Sequence, residues 1–190
     1  MPSTLIGKRV AILATHGFEP SELLRPRAAL DAEGAITQVI SPEKGSIRGW
    51  TGTEFGDGVP VDLQLADARA AEFDALLLPG GVISPDKLRV ISEAVEFVHA
   101  FFSEGKPVGA ICHGLQLLIE ADVVCGRKLT SVKAIRTDLI NAGARWSDEP
   151  VVTDQGLVTS RTPADIPHFI RKLIEEIGEG VHSESGGRRG

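Results

Sequence analysis

Three almost continuous apolar segments constrain the class of fold that this chain can adopt. They occupy residues 9–14, 74–78 and 107–111. Strands with this composition are buried on both faces, which is typical of parallel sheets. Helical patterns lie between them, at residues 22–33 and 93–104. A strand followed by a helix, repeated along the chain, predicts a doubly wound α/β sheet with right-handed crossovers.

The remaining segments predict two hairpins and one further helix. Residues 46–62 are rich in glycine with short β-prone pieces, so we expect a hairpin at one edge of the sheet. Residues 150–159 predict a second hairpin, and residues 164–177 predict an amphipathic helix. With 190 residues, 42% of them hydrophobic, the chain suits one domain, which we place at residues 1–178. We expect residues 179–190 to form a flexible tail.

Composition and charge narrow the functional classes. The two cysteines, Cys112 and Cys125, do not match a disulfide framework or a paired metal-ligand spacing, and an intracellular reducing compartment fits this usage. We see no secretory signal pattern or segment of membrane-spanning length, and therefore expect a cytoplasmic location. A formal net charge of -6 argues against bulk nucleic-acid binding. No metal or cofactor is expected.

The most informative turn surrounds Cys112. A buried strand changes to a helical period at this residue, with small residues on either side, which is similar to the elbow that holds a catalytic nucleophile. Such a turn lies beyond the carboxyl edge of the sheet, where open α/β sheets place ligands. The helix N-terminus that follows would stabilise a thiolate. The simpler alternative is a buried structural cysteine.

Other residues at the same predicted edge are candidates for a site with Cys112. His113 is a possible proton acceptor for the thiol. Alternatively, it is a helix N-terminal residue that only hydrogen-bonds to backbone groups. Amide groups of Gly80 and Gly81 could stabilise an oxyanion, although Pro79-Gly80-Gly81 is also an ordinary turn. Glu19 follows the first strand and could reach Cys112 as a protonated acid. Alternatively, Glu19 or Glu22 only favours the helix N-terminus.

Taken together, these segments resemble the ThiJ/PfpI family, in particular its PfpI-like branch of intracellular proteases, general stress proteins and protein deglycases. The resemblance covers nearly the whole chain, and its specific pieces are Gly17-Phe18-Glu19 with Glu22-Leu23, residues 73–81 and 105–108, Ala110-Ile111-Cys112-His113-Gly114, and residues 126–130, 141–143 and 159–163. It implies a flavodoxin-like three-layer sandwich, a mostly parallel central sheet with an edge hairpin, and homodimers or larger homo-oligomers. It also implies that Cys112 is the nucleophile, that His113 lies beside it, and that Glu19 is hydrogen-bonded to its sulfur.

The resemblance also points to Asp86. In protease-like members of the family, an acidic residue soon after the glycine pair completes a triad with cysteine and histidine across a subunit interface. Asp86 occupies the matching position here, with a side chain one methylene shorter than glutamate. Asp86 is equally a normal residue for the first turn of a helix.

The resemblance implies a stress-response hydrolase that depends on Cys112, most specifically a protein deglycase acting on glyoxal and methylglyoxal adducts. An intracellular peptidase acting on polypeptides would use the same sulfur for acyl transfer. A third hypothesis is a redox sensor or chaperone in which Cys112 is oxidised to a sulfinate. A glutaminase-type amidotransferase is disfavoured, because its downstream histidine and glutamate pair is matched only by His182 and Glu184 in the predicted tail.

Overall fold

A computed structural model describes residues 4–182 and shows a seven-stranded sheet between two layers of helices. The strands are β1 (Arg9–Leu13), β2 (Ile36–Ser41), β3 (Ser46–Trp50), β4 (Phe55–Pro60), β5 (Leu63–Gln64), β6 (Ala75–Leu78), β7 (Val108–Ile111), β8 (Lys128–Leu129), β9 (Arg145–Trp146), β10 (Val151–Asp154) and β11 (Leu157–Ser160). The sheet has the order β10-β11-β7-β6-β1-β2-β5. Its strands are parallel except β10, which pairs antiparallel with β11.

The helices cover both faces of this sheet. They are α1 (Pro20–Ala32), α2 (Ile83–Leu88), α3 (Ser92–Ser103), α4 (Gln116–Glu120), α5 (Arg136–Asn141) and α6 (Ile166–Glu179). Alternate residues of β1 enter different cores: Val10 and Ile12 pack with side chains of α1 and α6, whereas Ala11 and Leu13 join those of α3, α4 and α5. This alternation follows from the period of two along a strand. The predicted three-layer flavodoxin-like sandwich is confirmed.

Both predicted hairpins are present. Strands β3 and β4 form a separate antiparallel pair outside the central sheet. Strands β10 and β11 are joined by Gln155 and Gly156, whose φ angles are 49° and 82°. Two consecutive positive φ angles are typical of the type I′ turn, whose twist matches that of the flanking strands. This second hairpin supplies the antiparallel edge of the sheet.

The predicted helices are also present, with ends that differ by one or two residues. Helix α1 begins at Pro20, two residues before the predicted start. Pro26 is buried inside α1, and the helix continues past it to Ala32. Helix α6 begins after a single 3₁₀ turn at residues 163–165. In residues 4–182, none of the helices has both the length and the apolar content that crossing a membrane requires.

The described chain continues past the predicted domain boundary at residue 178. Helix α6 ends at Glu179, and the N–H of His182 donates to the carbonyl oxygen of Gly105 at 2.7 Å. Nε2 of His182 lies 3.0 Å from a carboxylate oxygen of Glu176. Residues 179–182 therefore lie against the body of the domain, whereas residues 183–190, including Glu184, lie outside the described residues.

Candidate active site

Cys112 occupies a strained turn directly after β7. Its φ angle is 60°, which is uncommon for a residue with a side chain, and it begins the 3₁₀ turn Cys112–Leu115 that leads into α4. The turn packs closely on the neighbouring strand, because a Cβ atom at Gly114 would lie 2.5 Å from the carbonyl oxygen of Leu78. The predicted strand-to-helix turn is therefore present, and tight packing holds its backbone in place.

Strand order brings the predicted site segments to one edge. Strands β1, β6 and β7 are neighbours, and the segments that follow them contain Glu22, Gly80 and Cys112 respectively. Gly80 separates the other two: a Cβ atom at this position would lie 2.4 Å from Oε2 of Glu22 and 2.7 Å from Cβ of Cys112. Only glycine leaves room for the carboxyl group and the thiol to meet here.

Glu22 is the carboxyl group that faces the sulfur. Its side chain is fully buried, Oε2 accepts a hydrogen bond of 2.8 Å from the N–H of Gly80, and the Cys112 thiol lies within hydrogen-bonding reach. Burial, followed by the nearby charge of Glu19, raises the pKa of Glu22 from 4.5 to about 8. Glu22 is therefore mostly protonated at neutral pH.

The predicted hydrogen bond between Glu19 and the sulfur is wrong. Glu19 is the N-cap residue of α1, and its Oε2 accepts hydrogen bonds from the N–H of Glu22 at 2.8 Å and from the hydroxyl of Ser21. These bonds hold the Glu19 carboxylate at the start of the helix, where it satisfies an N–H group that has no partner within the helix. Glu19 therefore has the alternative role predicted from the sequence, in which it only favours the helix N-terminus.

The resting form of Cys112 also differs from the expectation. Burial first, and then the Glu22 carboxylate, raise the pKa of Cys112 to about 12, whereas the backbone N–H groups of His113 and Gly81 lower it. The residue is 9% exposed, and α4, which follows the 3₁₀ turn, is only five residues long. Desolvation outweighs the local dipoles, so the resting nucleophile is a thiol rather than the expected thiolate.

His113 lies in the position that accepting this proton requires. Its Nδ1 is 3.3 Å from Sγ of Cys112, so the two neighbouring residues make the expected pair. Partial burial lowers the pKa of His113, which keeps the imidazole neutral and able to accept a proton at neutral pH. In residues 4–182, no hydrogen-bond partner is found for its Nε2.

The two glycine amides have separate roles. The N–H of Gly80 donates to Glu22 in this structure, and its predicted role in stabilising an oxyanion stays a prediction. The N–H of Gly81 acts on the sulfur instead, and it lowers the pKa of the Cys112 thiol. Gly81 has a φ angle of 84°, and a Cβ atom there would lie 2.7 Å from the N atom of Glu19. The glycine pair therefore allows three segments to approach closely.

Asp86 does not join the site within one copy of the chain. It lies in the first turn of α2 and is exposed, and among residues 4–182 its carboxylate makes no hydrogen bond or ion pair. Exposed apolar side chains flank it in sequence, since Val82 is 61% exposed and Val90 is 83% exposed. A contact between Asp86 and His113 of another copy stays a prediction.

One group of potential metal ligands lies elsewhere in the described chain. Carboxylate and imidazole atoms of Glu176, Glu179 and His182 lie within 4.8 Å of one another. They adjoin Gly105 and Gly156, at the amino ends of β7 and β11. Cys112 follows the carboxyl end of β7, so this group is outside the candidate active site.

The chain matches the family model of the DJ-1/PfpI family over residues 8–176. The chain belongs to the DJ-1/PfpI family. General stress protein 18 of Bacillus subtilis is 47% identical over 171 residues, which cover 89% of this chain and 97% of that protein. Protein/nucleic acid deglycase 2 of Escherichia coli is 47% identical over 174 residues, covering 91% of this chain and 99% of that protein.

A solved structure of this family has the same fold. It is a two-domain protein of Anabaena variabilis with a DJ-1/ThiJ/PfpI-like domain and a ferritin-like domain, 37% identical, with a TM-score of 0.84. The match covers 90% of this chain and 48% of that one, so the chain spans about half the length of that protein. The resemblance stated from the sequence is thus confirmed.

Proposed function

We propose that this chain is a stress-response hydrolase that uses Cys112 to remove glyoxal and methylglyoxal adducts, that is, a deglycase. The observation that carries the proposal is the approach of His113 Nδ1 to within 3.3 Å of the Cys112 sulfur, beside the buried Glu22 carboxyl group. The names of the Bacillus subtilis stress protein and the Escherichia coli deglycase support the same function.

The first step frees the amine or thiol of the substrate from its dicarbonyl adduct. The Cys112 thiol transfers its proton to Nδ1 of His113, and the sulfur attacks the carbinol carbon of the adduct. The bond from that carbon to the substrate nitrogen or sulfur breaks, and His113 returns the proton to the departing amine or thiol. The dicarbonyl fragment stays bound to Cys112 as a hemithioacetal.

The second stage converts this fragment into an acid. The protonated Glu22 donates to the neighbouring carbonyl oxygen, and the resulting carboxylate removes the proton from the carbinol carbon. Glu22 returns this proton to the adjacent carbon and takes up the proton of the hydroxyl on the sulfur-bearing carbon, which gives a thioester. Water hydrolyses the thioester to a 2-hydroxy acid and the free thiol. A group with a pKa of about 8 exchanges protons readily near neutral pH, as this sequence requires.

The direct test uses the two cysteines as a matched pair. Purified wild-type protein, Cys112→Ala and Cys125→Ala would be given methylglyoxal-treated N-acetylcysteine and N-acetyllysine, with release of the free thiol or amine and of lactate measured. We expect turnover in the wild type and Cys125→Ala and none above background in Cys112→Ala. Unchanged turnover in Cys112→Ala would exclude the proposed nucleophile.

The peptidase hypothesis has less support from the geometry. Acyl transfer needs donors for a tetrahedral oxyanion, and the N–H of Gly80 is already engaged by Glu22. Cleavage of an unfolded polypeptide that disappears in Cys112→Ala, without dicarbonyl turnover, would favour the peptidase.

A redox role remains a separate hypothesis. The raised pKa of the Cys112 thiol and its burial slow oxidation, because the thiolate is the form that peroxide attacks. Selective addition of oxygen at Cys112 under mild peroxide, measured by intact mass, would favour the sensor.

The proposal includes an oligomer and a cytoplasmic location. Asp86 of a second copy would accept a hydrogen bond from Nε2 of His113, which has no partner among residues 4–182. The exposed Val82 and Val90 close to Asp86 support an interface at this surface. Size-exclusion chromatography with light scattering tests the assembly, and cell fractionation tests the location.

A further inference from the structure

A second concave site lies at the end of the sheet opposite Cys112. This pocket has a volume of about 220 Å³. Its lining comes from the start of β8 and the segment before it, from β9, and from the end of β10 with the turn that follows. Strand β11 is parallel to β7, and the turn precedes β11, whereas Cys112 follows β7. The pocket is therefore separate from the candidate active site.

The pocket is strongly basic in a chain that is acidic overall. Arg127, Lys128 and Arg145 line it, against a single lining carboxylate, Asp154. Oδ2 of Asp154 already accepts a hydrogen bond of 2.7 Å from the backbone N–H of Lys128. Three cations and one anion leave a local charge of +2, although the whole chain carries -6. An acidic protein that concentrates cations around a cavity favours an anionic ligand there.

Arg127 is held in place without enough hydrogen-bond acceptors. Its guanidinium lies over the ring of Phe102, 5.2 Å from the centroid, and Nη1 donates to the carbonyl oxygen of Asp154 at 3.4 Å. Nε is buried and has no acceptor among the described residues. Burial lowers the pKa of Arg127, which indicates a desolvated cation. Such a cation, fixed before binding, is well suited to an incoming anion.

We propose that this pocket binds a phosphate dianion, either free or as the terminal group of a phosphate monoester. Guanidinium groups match phosphate oxygens through paired N–H donors, and Arg127 and Arg145 both line the cavity. A dianion neutralises the local charge of +2, which a single carboxylate does not. The size of the pocket leaves space for the organic part of a small phosphate ester.

Cys125 provides a local reporter of binding. It is one of the lining residues, and its thiol is free and partly exposed. A phosphate in the pocket should shield this thiol from iodoacetamide, and peptide mass analysis counts Cys125 separately from Cys112. The wild-type protein would be titrated with inorganic phosphate, glycerol phosphate and acetate at constant ionic strength. Isothermal titration calorimetry would measure the heat of binding of the same three ligands.

We expect saturable protection of Cys125 and measurable heat with both phosphates, and neither with acetate. Equal binding of inorganic phosphate and glycerol phosphate would identify the phosphate group as the whole determinant, whereas tighter binding of the ester would show that the rest of the pocket contributes. Equal protection by acetate, or no saturation with either phosphate, would overturn the proposal.

Variants locate the site. Lys128 and Arg145 are exposed, so Lys128→Gln and Arg145→Gln should fold normally. Each should weaken phosphate binding about tenfold, as expected for the loss of one charge-assisted hydrogen bond, and the double variant should lose saturation. Arg25 is an exposed cation on α1, and Arg25→Gln is the matched control. This variant should bind phosphate like the wild type. Equal weakening by Arg25→Gln would reveal only a general charge effect and contradict the site. Deglycase turnover plays no part in these measurements, so the two proposals fail independently.

Discussion

The Glu22 carboxyl group lies against the Cys112 thiol, and the N–H of Gly80 fixes it there at 2.8 Å. The glutamate is fully buried and the cysteine is 9% exposed, so the two groups titrate together in a place that water scarcely reaches. An ionised Glu22 would oppose formation of a thiolate, whereas a protonated Glu22 can donate to one. The reactivity of the cysteine therefore depends on the protonation of the glutamate.

Replacement of Glu22 should remove most activity. Glu22→Gln keeps the size of the side chain but cannot exchange a proton, so we expect kcat for dicarbonyl adducts to fall by about 10²–10⁴-fold. Steady-state kinetics of lactate formation measures the effect. Glu19→Gln, which changes the N-cap of α1 three residues earlier, should retain most activity. It should lose less than about 1 kcal/mol of stability, because the amide oxygen can still accept from the N–H of Glu22. The opposite ranking of the two variants would contradict the assignment.

The alkaline limb of the pH profile should report the ionisation of Glu22. The pKa of this group is about 8, so kcat/KM should fall as pH rises through that value. The charge of Glu19 contributes to raising the pKa, and Glu19→Gln should therefore move the limb to lower pH. The profiles of wild type and Glu19→Gln would be compared in the same buffers. A limb that stays in place would show that another group controls it.

Stability should depend on pH through the same carboxyl group. The pKa of Glu22 is 4.5 ordinarily and about 8 in the folded chain, so between these values the unfolded chain releases a proton that the folded chain keeps. The stabilisation from the protonated group is complete below 4.5 and is lost as pH rises to about 8.

Relative to Glu22→Gln, the wild type should lose free energy of unfolding on the order of a few kcal/mol across this window. Urea unfolding of both proteins at several pH values measures the difference, and contributions from other titrating groups cancel in it. A difference that does not change with pH would contradict burial of an ionisable Glu22.

Gly80→Ala should disrupt the site and reduce stability. The new Cβ would approach Glu22 Oε2 and Cys112 Cβ at distances that these atoms do not tolerate, and we expect a loss of about 1–3 kcal/mol together with activity. Gly178→Ala in α6 is the control, because nothing lies within 4 Å of its added Cβ. That variant should gain about 0.5–1 kcal/mol from helix propensity. Thermal unfolding and turnover of both variants are the measurements. Full activity in Gly80→Ala would show that the approach is looser than the structure indicates.

Mixing of two inactive variants tests whether Asp86 acts in a second copy. Asp86→Ala and Cys112→Ala should each be inactive alone. If the site is shared between copies, a heterodimer contains one complete site, and an equal mixture that exchanges subunits at random should recover about a quarter of wild-type activity. Turnover of the mixture after dilution and reassociation is the measurement. No recovery, with subunit exchange confirmed by mass spectrometry, would remove Asp86 from the site.

The sequence predicted the fold well because the fold follows from periodicity. Almost continuous apolar runs of five or six residues with helical patterns between them allow few arrangements, and the central parallel strands appear where the runs lie. Cys112 could also be predicted, because a buried strand and a helical pattern meet there. Since the carboxyl ends of neighbouring parallel strands share an edge, the glycine pair after β6 could be assigned to the same place.

The wrong choice of glutamate has a physical explanation. Glu19 precedes Pro20, which favours the first helical position, so Glu19 is the N-cap and its carboxylate is used by the helix. Glu22, Pro26 and Leu30 follow at intervals of four and share the buried face of α1. That spacing was a readable signal for Glu22.

The resting state of the thiol was not predictable in the same way. Helix N-termini lower thiol pKa values, but the opposing effect of burial depends on how tightly the surrounding segments pack. The engagement of the Gly80 amide by Glu22 likewise depends on a contact between residues 58 positions apart. Neither the pKa of the thiol nor the hydrogen bond of the Gly80 amide follows from a local sequence pattern.

The adjacency of β1, β6 and β7 makes the reactive geometry sensitive to remote changes. Glu22, Gly80 and Cys112 are each attached to the end of a different strand, and neighbouring strands are about 4.8 Å apart. A substitution in either core that spreads or twists these strands would displace proton donor and nucleophile relative to each other. A misplacement of about 1 Å can reduce the rate by about 10²-fold. Loss of activity without loss of folding is therefore expected from some core variants far from the sulfur, and such variants should be screened for turnover as well as for stability.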